Sequence, residues 1–297
     1  MWLWLGPAVA ALFLYGVGQG LVKKWISEVH PARFCLYFVV AKSLVNLGYF
    51  LTSEHPPLDS SAGYPFLGLG VLAYVLDGLG WIFYFQSIIA GPIAIVGTLS
   101  AAYPALTVLF ASFFLGEALT GVQYAGVGLV IAGCMGLSYS PESSGESRVS
   151  RVIHSRWIPL SFFALVLWAG AQTIVKYAYG FPEASEANLA VCNMVGGMMT
   201  LGVYGVWKGL SGKHSGLEWV KSFMPMGMMA GGDLGVIIAN RFGPISIVTP
   251  ITGAYPVVTL GFAWMLLKER ISRLQLVCIL AIFAGMVLAT MIESGGA

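Results

Sequence analysis

An all-α integral membrane protein of ten transmembrane helices, arranged as two five-helix inverted repeats, is the fold predicted by three properties of this 297-residue chain. The first is composition: 58% of residues are hydrophobic and 9% charged, against about 45–50% and 25% in soluble domains. No water-soluble surface can be built from that mixture. The second is the spacing of polar breaks, which leaves apolar runs of about 20 residues, the length a helix needs to cross a hydrocarbon core about 30 Å thick. The third is an internal repeat that relates the two halves.

Each element is an apolar run bounded by charge, Pro or Gly. Met1 to Val22 is nearly all apolar and lacks the basic start of a signal peptide, so it reads as a retained first span over 2–25. After the break holding Lys23, Lys24 and Pro31, a second helix is expected over 32–52. The stretch around Pro56 and Pro57 precedes a third over 64–90. Gly91-Pro92 starts a fourth over 92–114, and Gly116-Glu117 separates it from a fifth over 119–139. Ser140–Ser155 is the longest polar stretch, with the Pro, Ser and charge content of a connector. Five more helices follow, over 157–179, 184–207, 219–241, 244–267 and 271–292. The chain therefore divides into a first repeat (1–139), a polar linker (140–156) and a second repeat (157–297).

Laid over one another without a gap, Gly91–Gly133 and Gly243–Gly285 agree at 16 of 43 positions. A weaker match places YGVGQGLVK, ending at Lys23, over WAGAQTIVK, ending at Lys176, so that Gln19 falls on Gln172. With an odd number of spans in each half, the second half enters the membrane in the opposite sense, which is an inverted-topology repeat. Such repeats accompany alternating access about a midplane site; the alternative is a duplication retained for packing alone.

The runs GPIAIVGTLSAAYPALTVLFASFFLGEALTGVQYAGVGLVIAG and GPISIVTPITGAYPVVTLGFAWMLLKERISRLQLVCILAIFAG carry a Gly-Pro start, a mid-helix Pro, a Gly/Lys-Glu turn, a following Gln and a terminal Ala-Gly. In these features the chain resembles the EamA-type repeat of the drug/metabolite transporter superfamily, over essentially its whole length. The resemblance implies a ten-helix fold in the cell membrane and movement of small organic solutes. It does not imply which solute.

Charged and broken positions point to a transport site. Asp77 in the third helix and Asp233 in the eighth lie near mid-membrane in the related contexts Asp-Gly-Leu-Gly and Asp-Leu-Gly. A carboxylate there costs about 2.5–3.5 kcal/mol on insertion scales and needs a partner, water or a proton. Each is a candidate proton carrier; the alternative is a structural ion pair or helix–helix hydrogen bond. Lys42, central in the second helix, is the expected counter-charge for Asp77. Tyr74, Asp77, Trp81 and Tyr84 share one helix face, suited to an amine through charge and cation–π contacts, or equally to aromatic packing. Pro104 and Pro256 are expected inside the fourth and ninth helices, freeing the carbonyls of Ser100 and Thr252. With Pro250, the segment Thr249–Pro256 is the most broken in the chain, and Tyr103 and Tyr255 stand beside the matched prolines. Paired interruptions in matching halves point to a substrate site. Gln19 and Gln172 are candidates to hydrogen-bond the substrate or a neighbouring helix. The spacings Gly16-xxx-Gly20 and Gly227-xxx-Gly231 allow close helix approach, for internal packing rather than dimerisation.

Other chemistries find little support. Cys35, Cys134, Cys192 and Cys278 lie in apolar runs without CxxC spacing, and the four histidines lie in or beside loops. That argues against disulfides, a metal site and any other bound cofactor. There is no GxxxxGK[ST] loop for ATP, no HExxH and no GxSxG, so an ATP-driven pump and a membrane-embedded hydrolase are disfavoured. The near-balanced net charge of +2 argues against nucleic acid as a partner. What remains is a secondary carrier of a small metabolite, an amine or amino acid being the class the acid-plus-aromatic face suggests, with protons as the candidate coupling ion. An ion channel or proton pathway is the alternative. The expected partners are the small-molecule substrate and the lipid bilayer, and the chain is a monomer or homodimer. Twelve of the Lys and Arg residues lie at the breaks after the odd-numbered helices, which by the positive-inside rule puts both termini outside. The family resemblance implies both termini in the cytoplasm, so the two arguments oppose each other.

Overall fold

The computed structural model describes residues 3–25, 29–90, 103–138, 157–210, 216–266 and 272–290. Among these residues all regular structure is helical. The first half contains α1 (Leu5–Trp25), α2 (Pro31–Thr52), α3 (Tyr64–Ala90), α4 (Tyr103–Leu115) and α5 (Gly121–Ser138). The second contains α6 (Trp157–Ala178), α7 (Glu186–Gly197), α8 (Val203–Gly209), α9 (Gly216–Phe242), α10 (Ile245–Gly253), α11 (Tyr255–Leu266) and α12 (Arg273–Thr290).

Local chemistry sets several of the ends. At the start of α5 the Thr120 amide donates to Gln123 Oε1 (3.0 Å) while the Gln123 amide donates to Thr120 Oγ1 (3.3 Å). Ser272 and Gln275 repeat this reciprocal arrangement at the start of α12, at 2.8 and 3.3 Å. These are capping boxes, and they explain the Gln that recurs in both halves. Ser185 caps α7 by accepting from the Asn188 amide at 3.0 Å. Gly116, at φ +67°, turns the chain out of α4 in a left-handed conformation that costs a side-chain-bearing residue.

Seven helical segments among the described residues are long and apolar enough to cross a bilayer; Tyr103–Leu115, Gly121–Gly136 and Arg273–Ala289 are shorter apolar helices. Ten full-length spans were expected. The fourth is described only from Tyr103 onward, because 91–102, which includes Ser100, lies outside the described residues. Two expected helices are interrupted. The span expected over 184–207 contains a π-turn at Met198–Gly202 between α7 and α8. The span expected over 244–267 stops at Gly253 and restarts at Tyr255. Pro104 stands at the edge of the described residues, with 91–102 outside them, whereas Pro256 is the second residue of α11 rather than a kink inside one helix. Proline suits that place because the first amides of a helix have no intrahelical acceptor. Pro250 does lie inside α10.

The helices pack in a pattern that survives exchange of the halves. α1 packs on α9 as α6 packs on α3; α2 on α9 as α7 on α3; α1 on α11 as α6 on α4. The α2–α7 and α5–α12 pairs map onto themselves. Glycines set the closest approaches. A side chain at Gly126 would collide with the Ala289 amide, and one at Gly285 would meet the Gly126 carbonyl at 2.6 Å. Gly16 and Gly20 face Val258 and Phe262 of α11, the internal use expected of them. Gly227 faces open space, however, while Gly231 stands against Leu14 of α1, beside the closer contacts of Gly232 with Tyr15 and Gly235 with the Pro7 carbonyl.

The surface is apolar: Phe113, Phe114, Trp207 and Leu51 are each more than 70% exposed. The interior holds Lys42, Asn46, Asn193, Ser222 and Asn240, all nearly fully buried. This distribution suits lipid outside and a polar interior.

Candidate functional site

The buried charges converge. Lys42 of α2 is 1% exposed, and its Nζ lies 3.0 Å from Asp77 Oδ2 and 2.9 Å from Asp233 Oδ2. It also donates to Asn193 Oδ1 at 3.1 Å. An ammonium has three hydrogens, and three protein oxygens on α3, α9 and α7 surround this one. Asp233 Oδ1 accepts from the Tyr15 hydroxyl at 2.5 Å. The Phe38 ring, one turn before Lys42, lies 4.7 Å from the ammonium. Ionised, the cluster carries two negative charges and one positive. Four helices from both halves thus meet at one lysine.

Beside this cluster is a partly open cavity of about 60 Å³, lined by Tyr15, Gln19, Tyr74, Asp77, Trp81, Tyr103, Trp168, Gln172, Asp233, Val236 and Tyr255. Six residues come from the first half and five from the second. Aromatic rings dominate the wall, and Trp168 is their hub: its centroid lies 5.0 Å from Trp81, 5.4 Å from Tyr84 and 5.9 Å from Tyr103. Tyr15 and Tyr255 meet edge-on at 6.1 Å. The Gln172 Oε1 accepts from Asn240 Nδ2 at 2.7 Å, which fixes the amide and leaves its NH₂ for other partners.

Of the residues proposed from sequence, Gln19, Tyr74, Asp77, Trp81, Tyr103, Gln172, Asp233 and Tyr255 share this wall. Lys42 lies behind it, paired with both acids. Thr249 and Thr252 are buried in α10 but are not on the wall; the Thr252 hydroxyl donates to the Val248 carbonyl at 3.0 Å. Pro250 sits in the same short helix. Pro104 packs where the chain breaks, 2.7 Å from the position a side chain on Gly253 would take. Pro256 is one residue beyond the wall residue Tyr255. Four participants were not predicted: Tyr15, Trp168, Val236 and Asn193. Tyr15 and Trp168 were within reach, since the alignment that puts Gln19 on Gln172 also puts Tyr15 on Trp168. Three matched pairs (Tyr15/Trp168, Gln19/Gln172, Tyr103/Tyr255) thus contribute both members to one cavity. Asn193 gave no signal beyond being one amide in an apolar run.

Both ends of α9 tie the halves together. Near its start, Arg33 of α2 pairs with Glu218 at 2.7 Å and donates through Nε to the Gly209 carbonyl at the end of α8 (3.1 Å). Just beyond its end, Glu117 accepts from the amides of Ile245 (3.1 Å) and Ser246 (3.0 Å), capping α10 from the other half.

Comparisons with known proteins agree with this architecture. A solved protein crystal structure shares the fold with a TM-score of 0.76 over 97% of this chain and 98% of that one, at 18% identity. No curated protein matches the chain in sequence. The model of the EamA-like transporter family matches residues 2–139 and again 155–291. Two matched copies account for nearly the whole chain, which is a multi-pass membrane protein and belongs to the EamA-like transporter family.

Proposed function

We propose that this transporter is a secondary active carrier of a small organic metabolite, an amine or amino acid, working by alternating access in the cell membrane. Ten spans in two inverted five-helix repeats (1–139 and 157–297, joined by 140–156) form the moving parts. One observation carries the reading: a single cavity takes both members of three repeat-related residue pairs, together with an acid from each half. A site at a repeat interface is where rocking one half against the other exposes a solute first to one side and then to the other. The helix pairing that survives exchange of the halves supplies equivalent packing for the two end states.

Proton coupling is assigned to Asp77 and Asp233. Lys42 neutralises one carboxylate, and the second negative charge must be met in turn by a proton or by the solute as the site changes sides. The test is uptake into proteoliposomes of amines, amino acids and nucleosides, with and without an imposed pH gradient. Wild type is compared with D77N and D233N. Saturable, gradient-driven uptake with counterflow, abolished by either substitution, is expected. Non-saturable flux without counterflow would make the protein an ion pathway, and gradient-driven uptake untouched by both substitutions would remove the acids from coupling.

A further inference from the structure

Resting on the carrier reading above, we infer that the solute this cavity selects is an organic monocation, an amine or quaternary ammonium bearing an aromatic or apolar body, in preference to zwitterions, neutral isosteres and anions. The selectivity follows from charge and from where the one paired cation sits. Asp77 and Asp233 both stand on the cavity wall, and among the described residues Lys42 is the one cation paired with them. Its ammonium donates to Asp77 Oδ2 and Asn193 Oδ1 and lies 2.9 Å from Asp233 Oδ2. Lys42 is 1% exposed and stands behind the cavity wall rather than on it, so its ammonium does not face an anionic group on a solute. Among the described residues, no Lys, Arg or His lines the cavity. With both acids ionised the site presents one uncompensated negative charge, and among the described residues no positive group on its wall faces an incoming carboxylate.

The two acids are not equivalent. Asp233 accepts from the Tyr15 hydroxyl through Oδ1, and its Oδ2 is buried at ion-pair distance, 2.9 Å, from Lys42 Nζ. Asp77 uses one oxygen on Lys42, and among the described residues its second oxygen has no hydrogen-bond donor. Asp77 is thus the carboxylate that still has acceptor capacity for an ammonium. The rings around it, Trp81 and Trp168 at their hub, present the negative faces that attract a cation within about 6 Å. An amino acid would bring its carboxylate into the same space, where the amides of Gln19 and Gln172 are the neutral donors that could meet it. Repulsion by the uncompensated acid opposes that, because a carboxylate there gains no ion pair. Asn193, which meets Lys42 from α7 of the other half, is a neutral amide, so among the described residues the cluster holds one cation for two acids.

The experiment uses the full chain in nanodiscs and reads quenching of tryptophan fluorescence, since Trp81 and Trp168 line the site. Four probes share one ring: phenethylamine, phenylalanine, 3-phenylpropan-1-ol and 3-phenylpropionate; trimethylphenethylammonium adds a cation with no dissociable proton. Both cations are expected to bind at least ten-fold more tightly than the alcohol and the zwitterion, with no saturable binding of the propionate. In D77N the preference of cation over alcohol falls at least ten-fold while the alcohol still binds, which also shows that the variant is folded. Equal or tighter binding of phenylalanine or the propionate by wild type overturns the inference, as does absence of saturable binding by both cations. Counterflow with each probe separates this from the carrier reading. Cation binding without counterflow leaves the charge selectivity standing and fails the carrier; counterflow of the zwitterion or anion alone does the reverse.

Discussion

Lys42 is held by oxygens on three neighbouring helices, so its removal strands two carboxylates a few ångströms apart with no cation between them. Breaking a buried ion pair from one side costs about 3–5 kcal/mol, because the remaining charge stays desolvated. K42M is therefore expected to lower the thermal midpoint of the purified protein steeply. D233N should cost much less, since Lys42 keeps Asp77 and an amide oxygen can still accept from Tyr15. The triple variant K42M/D77N/D233N should regain part of the loss. A K42M protein as stable as wild type would mean that each carboxylate is separately hydrated from the cavity. Tyr15 offers a cleaner deletion: Y15F removes one hydrogen bond to a charged acceptor and little volume, with an expected cost of about 1.5–3 kcal/mol. At this scale the sequence was readable wherever a residue was out of place. Asp77, Asp233 and Lys42 stand out in apolar runs because charge there is costly. Trp168 and Tyr15 do not, because aromatic rings pack between helices and line cavities with the same side chains.

Helix ends were readable for a related reason: the chemistry that stops a helix is local. Thr120-xx-Gln123 and Ser272-xx-Gln275 place cap and reciprocal acceptor three positions apart, and Gly116 supplies the positive φ between α4 and the carboxylate of Glu117. Helix interruptions were not readable at the same resolution. Pro256 alone reads as a kink, but whether the chain bends or restarts there depends on partners distant in sequence, such as Pro104 against Gly253. The π-turn at Met198–Gly202 has no proline at all, and is fitted to Gly78 of α3, where an added side chain would collide with Thr200 Oγ1. Two substitutions test these elements. G116A is expected to cost about 1–2 kcal/mol, the penalty of a left-handed conformation for a residue with a side chain. G126L should be far worse, because the atoms it meets are backbone at Ala289 and Gly285 of α12 and cannot turn aside; loss of the monodisperse folded protein in size-exclusion chromatography is the expected readout. G128L, two residues away and facing open space, should change stability by no more than about 0.5 kcal/mol. If both leucines behave alike, α5 and α12 do not meet as closely as described.

The whole molecule joins its halves at three levels along α9, a helix of 27 residues and about 40 Å. The Arg33–Glu218 pair lies near its start, the Lys42 cluster midway, and the Glu117 cap on Ile245 and Ser246 just past its end. A cavity at the central level that opens alternately to each side requires the outer two contacts to break in turn, because breaking both together would leave a continuous path. Neither contact is strong enough to forbid this. A carboxylate accepting two amides, or an arginine pairing with one carboxylate, stabilises by a few kcal/mol at most after its desolvation cost. Each therefore acts as a bias on the population, and removing one shifts the balance toward the state in which that end is open. E218Q is expected to favour access from the end where α9 begins, and E117Q access from the end where α10 begins. A cysteine introduced at Val236 on the cavity wall reports this by its rate of reaction with a membrane-impermeant thiol reagent added to one side of sealed vesicles, above the background of four buried native thiols. The two variants should accelerate labelling from opposite sides, each by about five-fold or more for a shift of about 1 kcal/mol. Acceleration from the same side in both would mean that the Arg33–Glu218 and Glu117 contacts hold one gate rather than two, and the alternating motion would have to be sought in the α10–α11 break instead.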